Sequence, residues 1–268
     1  LYINSHIDGI SPDCCEDVVI SDCIIKTGDD ALVFKTSCFD NNKIRDCQRI
    51  TVTNCILSSR ANAIKFGTES AGDFKYINVS NCVILNTQHS GIAIESVDGA
   101  NIYGINISDI SMSNVANPLF IYLSNRLRAP EGAVVGSISD VNVTNIYADV
   151  NDRKFKSIDS WYPDIQPGSD YGTNRSYPSI IMSTDENNRI KNLSLTNVSI
   201  KVLGGGKLSD GVEFPDSKSY PECSSFKLPC YGLYVKNVDG LNLVNFRCEA
   251  ENPDERERII CENSLINN

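Results

Sequence analysis

The chain has 268 residues, enough to bury one sizeable core or two compact domains. Its net charge of −10 and pI of about 4.7 argue against a nucleic-acid partner, which would select a basic surface. No run of about 20 apolar residues suits a transmembrane helix, so no membrane role is expected. The first motif falls within eight residues of Leu1, and we expect the chain to lack its N-terminal coils.

That motif lies in the stretch from His6 to Lys35. Asp8 sits in an I-D-G turn, and Asp29 and Asp30 sit in a G-D-D turn that Gly28 permits. A Val/Ile-rich, strand-like run separates them. If both turns fall at the same point of successive coils, Asp8 and Asp30 become neighbours, because stacked strands lie about 4.8 Å apart. Three carboxylates would then share one patch of surface. Crowding raises the proton affinity of one of them, which suits an acid and a base in glycosidic hydrolysis. Asp-Gly and Gly-Asp-Asp are also ordinary turn sequences.

Further along, one phrase recurs: VVISDCII at 18–25, ITVTNCIL at 50–57, INVSNCVI at 77–84, INISDISM at 105–112, VNVTNIYA at 141–148, LSLTNVSI at 193–200 and LNLVNFRC at 241–248. Apolar and polar residues alternate on both sides of an Asn or Asp, which is strand periodicity broken by a tight bend. A second phrase lies between these: DALVFKT at 30–36, NAIKFGT at 62–68, SGIAIES at 90–96, PLFIYLS at 118–124, SIIMST at 179–184 and GLYVKN at 232–237. Such a repeat predicts stacked coils of an all-β solenoid, a single-stranded parallel β-helix occupying residues 1–268 as one domain. Residues 36–49, 150–178 and 203–231 interrupt the pattern and are expected to be surface loops, with Trp161 and Tyr162 as candidates for stacking on sugar faces.

The eleven cysteines sort by position. Cys23, Cys55 and Cys82 each follow the turn residue and predict a buried column of free thiols. Cys38 with Cys47, and Cys223 with Cys230, flank short loops and are disulfide candidates. Cys14 and Cys15 read as packing residues, and no C-x-x-C pair suggests zinc. Six N-x-S/T sequons, at Asn78, Asn106, Asn142, Asn174, Asn192 and Asn197, fall mostly in coil phrases where Asn is expected for structural reasons.

The Asp8 and Asp29-Asp30 turns and their spacing resemble glycoside hydrolase family 28, the polygalacturonases. The likeness covers roughly residues 3–125 in detail and the rest as a repeat pattern only. The family carries N-T-D-G, G/Q-D-D, G-H-G and R-I-K on successive coils of a right-handed parallel β-helix. The resemblance implies an inverting hydrolase of a pectic polysaccharide, of galacturonide or rhamnogalacturonan type, needing no cofactor or metal, secreted or periplasmic and monomeric. It makes Asp29 the general acid and has Asp8 and Asp30 activate water.

The last two motifs depart from the pattern. Asn62 stands at the His of G-H-G, and R-I-K falls on Ala93-Ile94-Glu95. His89, beside the next turn, reads as a surface residue. Lys35, Arg60, Asn62, Lys65, Glu95 and Arg126 are the candidate substrate-binding residues, with Lys65 and Arg60 replacing the lost basic clamp and Arg126 adding charge one coil on. Arg128 reads as an ordinary solvated charge. A calcium-dependent polysaccharide lyase and a non-catalytic carbohydrate-binding β-helix are the alternatives.

Overall fold

The structure is a computed structural model that describes residues 2–5, 7–37, 43–150 and 177–267. It is a right-handed parallel β-helix whose strands join into one continuous sheet, with no α-helix among the described residues. The first face holds β2 (Glu16–Ser21) and β5 (Cys47–Thr53), then the opening segments of β8 (Phe74–Ser96) and β9 (Asn101–Leu123). It continues through β10 (Ser137–Val150), β12 (Ile190–Gly204) and β14 (Val238–Asn252). Along it Ile20, Val52, Val79, Ile107, Val143, Leu195 and Leu243 stand in register.

The chain then bends at the Asn or Asp of each phrase. Asp22, Asn54, Asn81, Asp109, Asn145, Asn197 and Asn245 all have φ between 52° and 58°. That left-handed conformation is one that Asn and Asp tolerate better than other side chains. Their amides run up the corner as a ladder: Asn54 donates to Asp22 (3.2 Å), Asn81 to Asn54 (2.5 Å), Asn145 to Asp109 (2.9 Å), Asn197 to Asn145 (3.0 Å) and Asn245 to Asn197 (2.9 Å).

The second face begins with β1 (Tyr2–Ser5), β3 (Ile24–Gly28) and β6 (Ile56–Ser59) and passes through the later segments of β8, β9, β10, β12 and β14, while β16 (Leu265–Asn267) pairs with the opening of β14 and extends the first face. The third holds β4 (Leu32–Thr36), β7 (Ile64–Ser70), the ends of β8 and β9, then β11 (Ser179–Ser183), β13 (Cys230–Lys236) and β15 (Glu257–Glu262). Here Phe34, Phe66, Ile94, Ile121, Ile181, Val235 and Cys261 are in register. The inward residues of all three faces form one apolar core running from Ile20 to Cys248.

The segment between β12 and β13, expected as a plain surface loop, builds a second small core on the outside of the third face. Phe226 and Leu228 pack there against Ala93, Phe120, Tyr122, Ile180 and Tyr234, and Phe226 stacks on Tyr177 at 4.3 Å. This cover is what encloses the candidate site from one side.

The cysteine expectations meet mixed outcomes. Cys55 and Cys82 are buried, but Cys23 is partly exposed. Cys47 and Cys230 carry free, buried thiols, so neither expected bridge forms; Cys38 itself lies outside the described residues. Trp161, Tyr162 and Asn174 also lie outside them. Four of the sequon asparagines, Asn106, Asn142, Asn192 and Asn197, donate their Nδ2 to a neighbouring coil. Their amides serve the ladders that hold the coils in register.

Candidate functional site

The three acidic residues converge at the edge where the second face turns into the third. Ile10 pairs with Leu32, and the Gly9 N–H donates to the Asp30 carbonyl at 2.9 Å, which brings the two turns onto neighbouring rungs. Gly9 is required there, since a Cβ would stand 2.3 Å from the Ala31 carbonyl oxygen. The Asp29 carbonyl is pinned by the Thr27 and Ser59 hydroxyls, each at 2.6 Å. Oxygens of Asp8, Asp29 and Asp30 all lie within 4.8 Å of one another.

The environments of the three differ. Asp8 is partly exposed, and its Oδ2 accepts from Ser11 Oγ (3.1 Å) and Lys35 Nζ (2.8 Å). Asp29 is also partly exposed, and its carboxyl is held above the ordinary aspartate range by burial first and by the charge of Asp8 second. Crowding, the cause expected from the sequence, contributes through Asp8, but lost hydration is the larger cause. Asp30 turns inward and is 3 % exposed. Its Oδ1 accepts from the Asn62 backbone N–H (3.0 Å) and from Asn62 Nδ2 (2.8 Å), while Lys65 Nζ lies 3.2 Å from Oδ2. Asp8 and Asp29 are therefore the two carboxyls that a substrate can reach.

Lys65, expected as an open basic residue, is buried. Besides Asp30 it contacts Glu222 Oε1 at 2.6 Å, a residue from the cover. Burial favours a neutral lysine, but Asp30 and Glu222 outweigh it and hold the ammonium charged. Glu95, expected at the substrate, is fully buried behind the pair; burial and the charge of Glu222 raise its carboxyl well above the usual range, which favours its protonated form. Burial pushes Glu222 the other way from Lys65, and Lys65 prevails, leaving Glu222 ionised with a pKa of about 2.

Most of the other expected binding residues are engaged within the protein. Arg126 clamps Asp98 through Nε (2.9 Å) and Nη2 (2.5 Å) and donates to the Thr68 and Ser219 carbonyls, which makes it a structural tie between coils and cover. Asn62 is buried and passes the ladder on by accepting from the Ser90 N–H at 2.9 Å. Lys35 is partly exposed and lies 3.8 Å from Glu69 in addition to its Asp8 bond. Arg60 is partly exposed at the end of β6. His89, expected at the surface, is only 5 % exposed. Arg128 donates to the Lys218 carbonyl at 3.2 Å, so it too belongs to the cover contacts.

Sequence reasoning missed Glu222 and Tyr220. Their one signal is the Tyr220-Pro221-Glu222 run, an acidic residue in a Pro-braced single 3-10 turn, Pro221–Cys223. Nothing in its local pattern points to Lys65, 157 residues away.

The acidic trio has the donor type that a hard cation takes. Lys35 and Lys65 already supply positive charge to two of its three members. For hydrolysis, carboxyl separations of about 6.5–9.5 Å accompany direct attack by water and about 5–5.5 Å accompany a covalent intermediate.

No protein-family model and no curated protein sequence matches the chain. Among solved structures it is similar to the family 28 exopolygalacturonase of Yersinia enterocolitica, with a TM-score of 0.66 and 14% identity. The match covers 97% of this chain and 38% of that one, so the chain spans well under half the length of its structural neighbour. At this identity the likeness establishes the fold, a β-helix of the kind found in a pectin-degrading glycoside hydrolase.

Proposed function

We propose that the chain is a glycoside hydrolase acting on a pectic polysaccharide, of galacturonide or rhamnogalacturonan type. The observation that carries this reading is the convergence of Asp8, Asp29 and Asp30 on one rung edge, with the Asp29 proton affinity raised. Asp29 protonates the leaving oxygen. Asp8, held by Lys35 and Ser11, activates the water that attacks the anomeric carbon. Asp30, walled in by Asn62 and Lys65, supports the trio from beneath, a narrower part than sharing the water with Asp8.

The test is turnover of pectic oligosaccharides by Asp29→Asn protein. Near-complete loss with substrate binding retained is the expected result, and near-normal turnover rules the assignment out. Proton NMR of the first-formed product is expected to show inversion. A retained anomer would make Asp8 a nucleophile with Asp29 still the acid. A second reading, a calcium-dependent lyase, draws on the same oxygen cluster. An unsaturated product and loss of activity with a chelator would establish it in place of hydrolysis. Binding without turnover, unchanged by loss of the carboxylates, would mark a non-catalytic carbohydrate-binding β-helix.

A further inference from the structure

Resting on the sugar-cleaving reading above, we infer that Glu222 sets the charge of the sugar unit this cleft accepts: its carboxylate fills the anion position on Lys65, so the unit beside Asp29 is uncharged. Lys65 is the cation beneath this edge, next to Asp30, and Glu222 from the cover satisfies it at 2.6 Å with a side chain that is fully buried, so Lys65 offers no charge to a sugar carboxylate at Asp29. The contact is built, not incidental. The segment from Pro215 to Glu222 is tied across the outside of the third face by Tyr122 Oη to the Pro215 carbonyl (3.1 Å) and Arg126 Nη1 to the Ser219 carbonyl (3.0 Å). Tyr220 lies over Lys65, Arg126 and Arg128, with each cation 5.6–5.8 Å from the ring centroid. The cation on the other side of the trio, Lys35, is committed to Asp8. A free uronate beside Asp29 would meet the carboxylate of Asp8 directly, with the buried charges of Asp30 and Glu222 behind it and both ammonium groups, Lys35 and Lys65, already engaged; like charges repel. A neutral or esterified sugar meets no such field.

The experiment compares binding of trigalacturonate with that of its methyl-esterified form, by calorimetry with the ligand checked for integrity afterwards. The two probes share a backbone and differ in charge. Wild-type protein is expected to favour the ester by about tenfold or more. Removing Glu222 alone lets Glu95 ionise in its place, so the informative variant is Glu222→Ala with Glu95→Gln, in which the preference is expected to move by about tenfold towards the free acid. Glu222→Gln keeps the packing and is expected to shift the preference in the same direction by less, which covers the case of a double variant that does not fold. Wild-type protein that binds the free acid as well as the ester, or a preference unmoved in these variants, overturns the inference and leaves the hydrolase reading standing. Failure of all the proteins to bind either probe overturns the inference together with the galacturonide form of the hydrolase reading.

Discussion

At the scale of single residues the site turns on the unlike surroundings of adjacent aspartates. Asp29 and Asp30 are chain neighbours, yet one is partly exposed and the other is sealed under Asn62. Because burial and Asp8 raise the Asp29 carboxyl, its protonated form persists above the ordinary aspartate pKa. Activity that needs this proton therefore falls as pH rises through the raised value. The stability sign agrees: between the ordinary and the raised value the native state holds a proton that the unfolded chain has released, so stability also declines with rising pH across that window. Lys35 is one of the charges that lower the Asp29 pKa. Lys35→Met should shift the descending limb of the kcat/KM profile to higher pH, and a limb that stays in place would separate it from Asp29. The acidic turns themselves were legible, since Asp8, Asp29 and Asp30 do meet. Their division into reachable and buried was not, because it depends on Asn62 and Lys65 from the next coil.

At the scale of elements the recurrent Asn is a backbone device. Asn81 has φ 52° and donates to Asn54 at 2.5 Å. Asn81→Ala loses that bond and puts in the left-handed region a residue that tolerates it less well than Asn. Together these should cost about 1–2 kcal/mol, read as a lower urea midpoint with an unchanged m-value. The neighbouring cysteine column divides in the same way as the aspartates. Burial raises the Cys82 thiol to about 11 and also raises Cys55, which lowers their thiolate fractions, whereas Cys23 is partly exposed. Native-state alkylation followed by peptide mass analysis should find Cys23 modified well before Cys55 and Cys82. Equal rates at all three would show that the column opens as a unit.

For the whole molecule, the cover between β12 and β13 ties distant parts of the solenoid together through one buried charge group. Lys65→Met would strand Asp30 and Glu222 without their cation, and breaking such a pair typically costs about 3–5 kcal/mol. The double variant Lys65→Met, Glu222→Gln should recover part of the loss in chemical denaturation, because one stranded charge is then gone. No recovery would mean that Glu222 and Lys65 are not energetically coupled in solution. Arg126 illustrates why the cover matters for reading function. In isolation it is a spare cation after a strand, and in the folded protein it is the bolt joining Asp98, Thr68 and Ser219.

The amino-acid order by itself determined the architecture. Alternating apolar residues around a left-handed Asn, repeated along the chain, point to stacked coils, and the spacing of the phrases placed Ile20, Val52, Val79 and Ile107 on one line and Asp8 beside Asp30. These are short-range facts, set by the two-residue period of a strand and by the conformational tolerance of one side chain. Only the tertiary structure decided which charges remain available. Whether Lys65, Glu95 and Arg126 face substrate or each other depends on a segment far along the chain folding back to deliver Glu222 and Ser219. The energy of a charge is set by its burial and its partners, and neither has a local signature in the sequence.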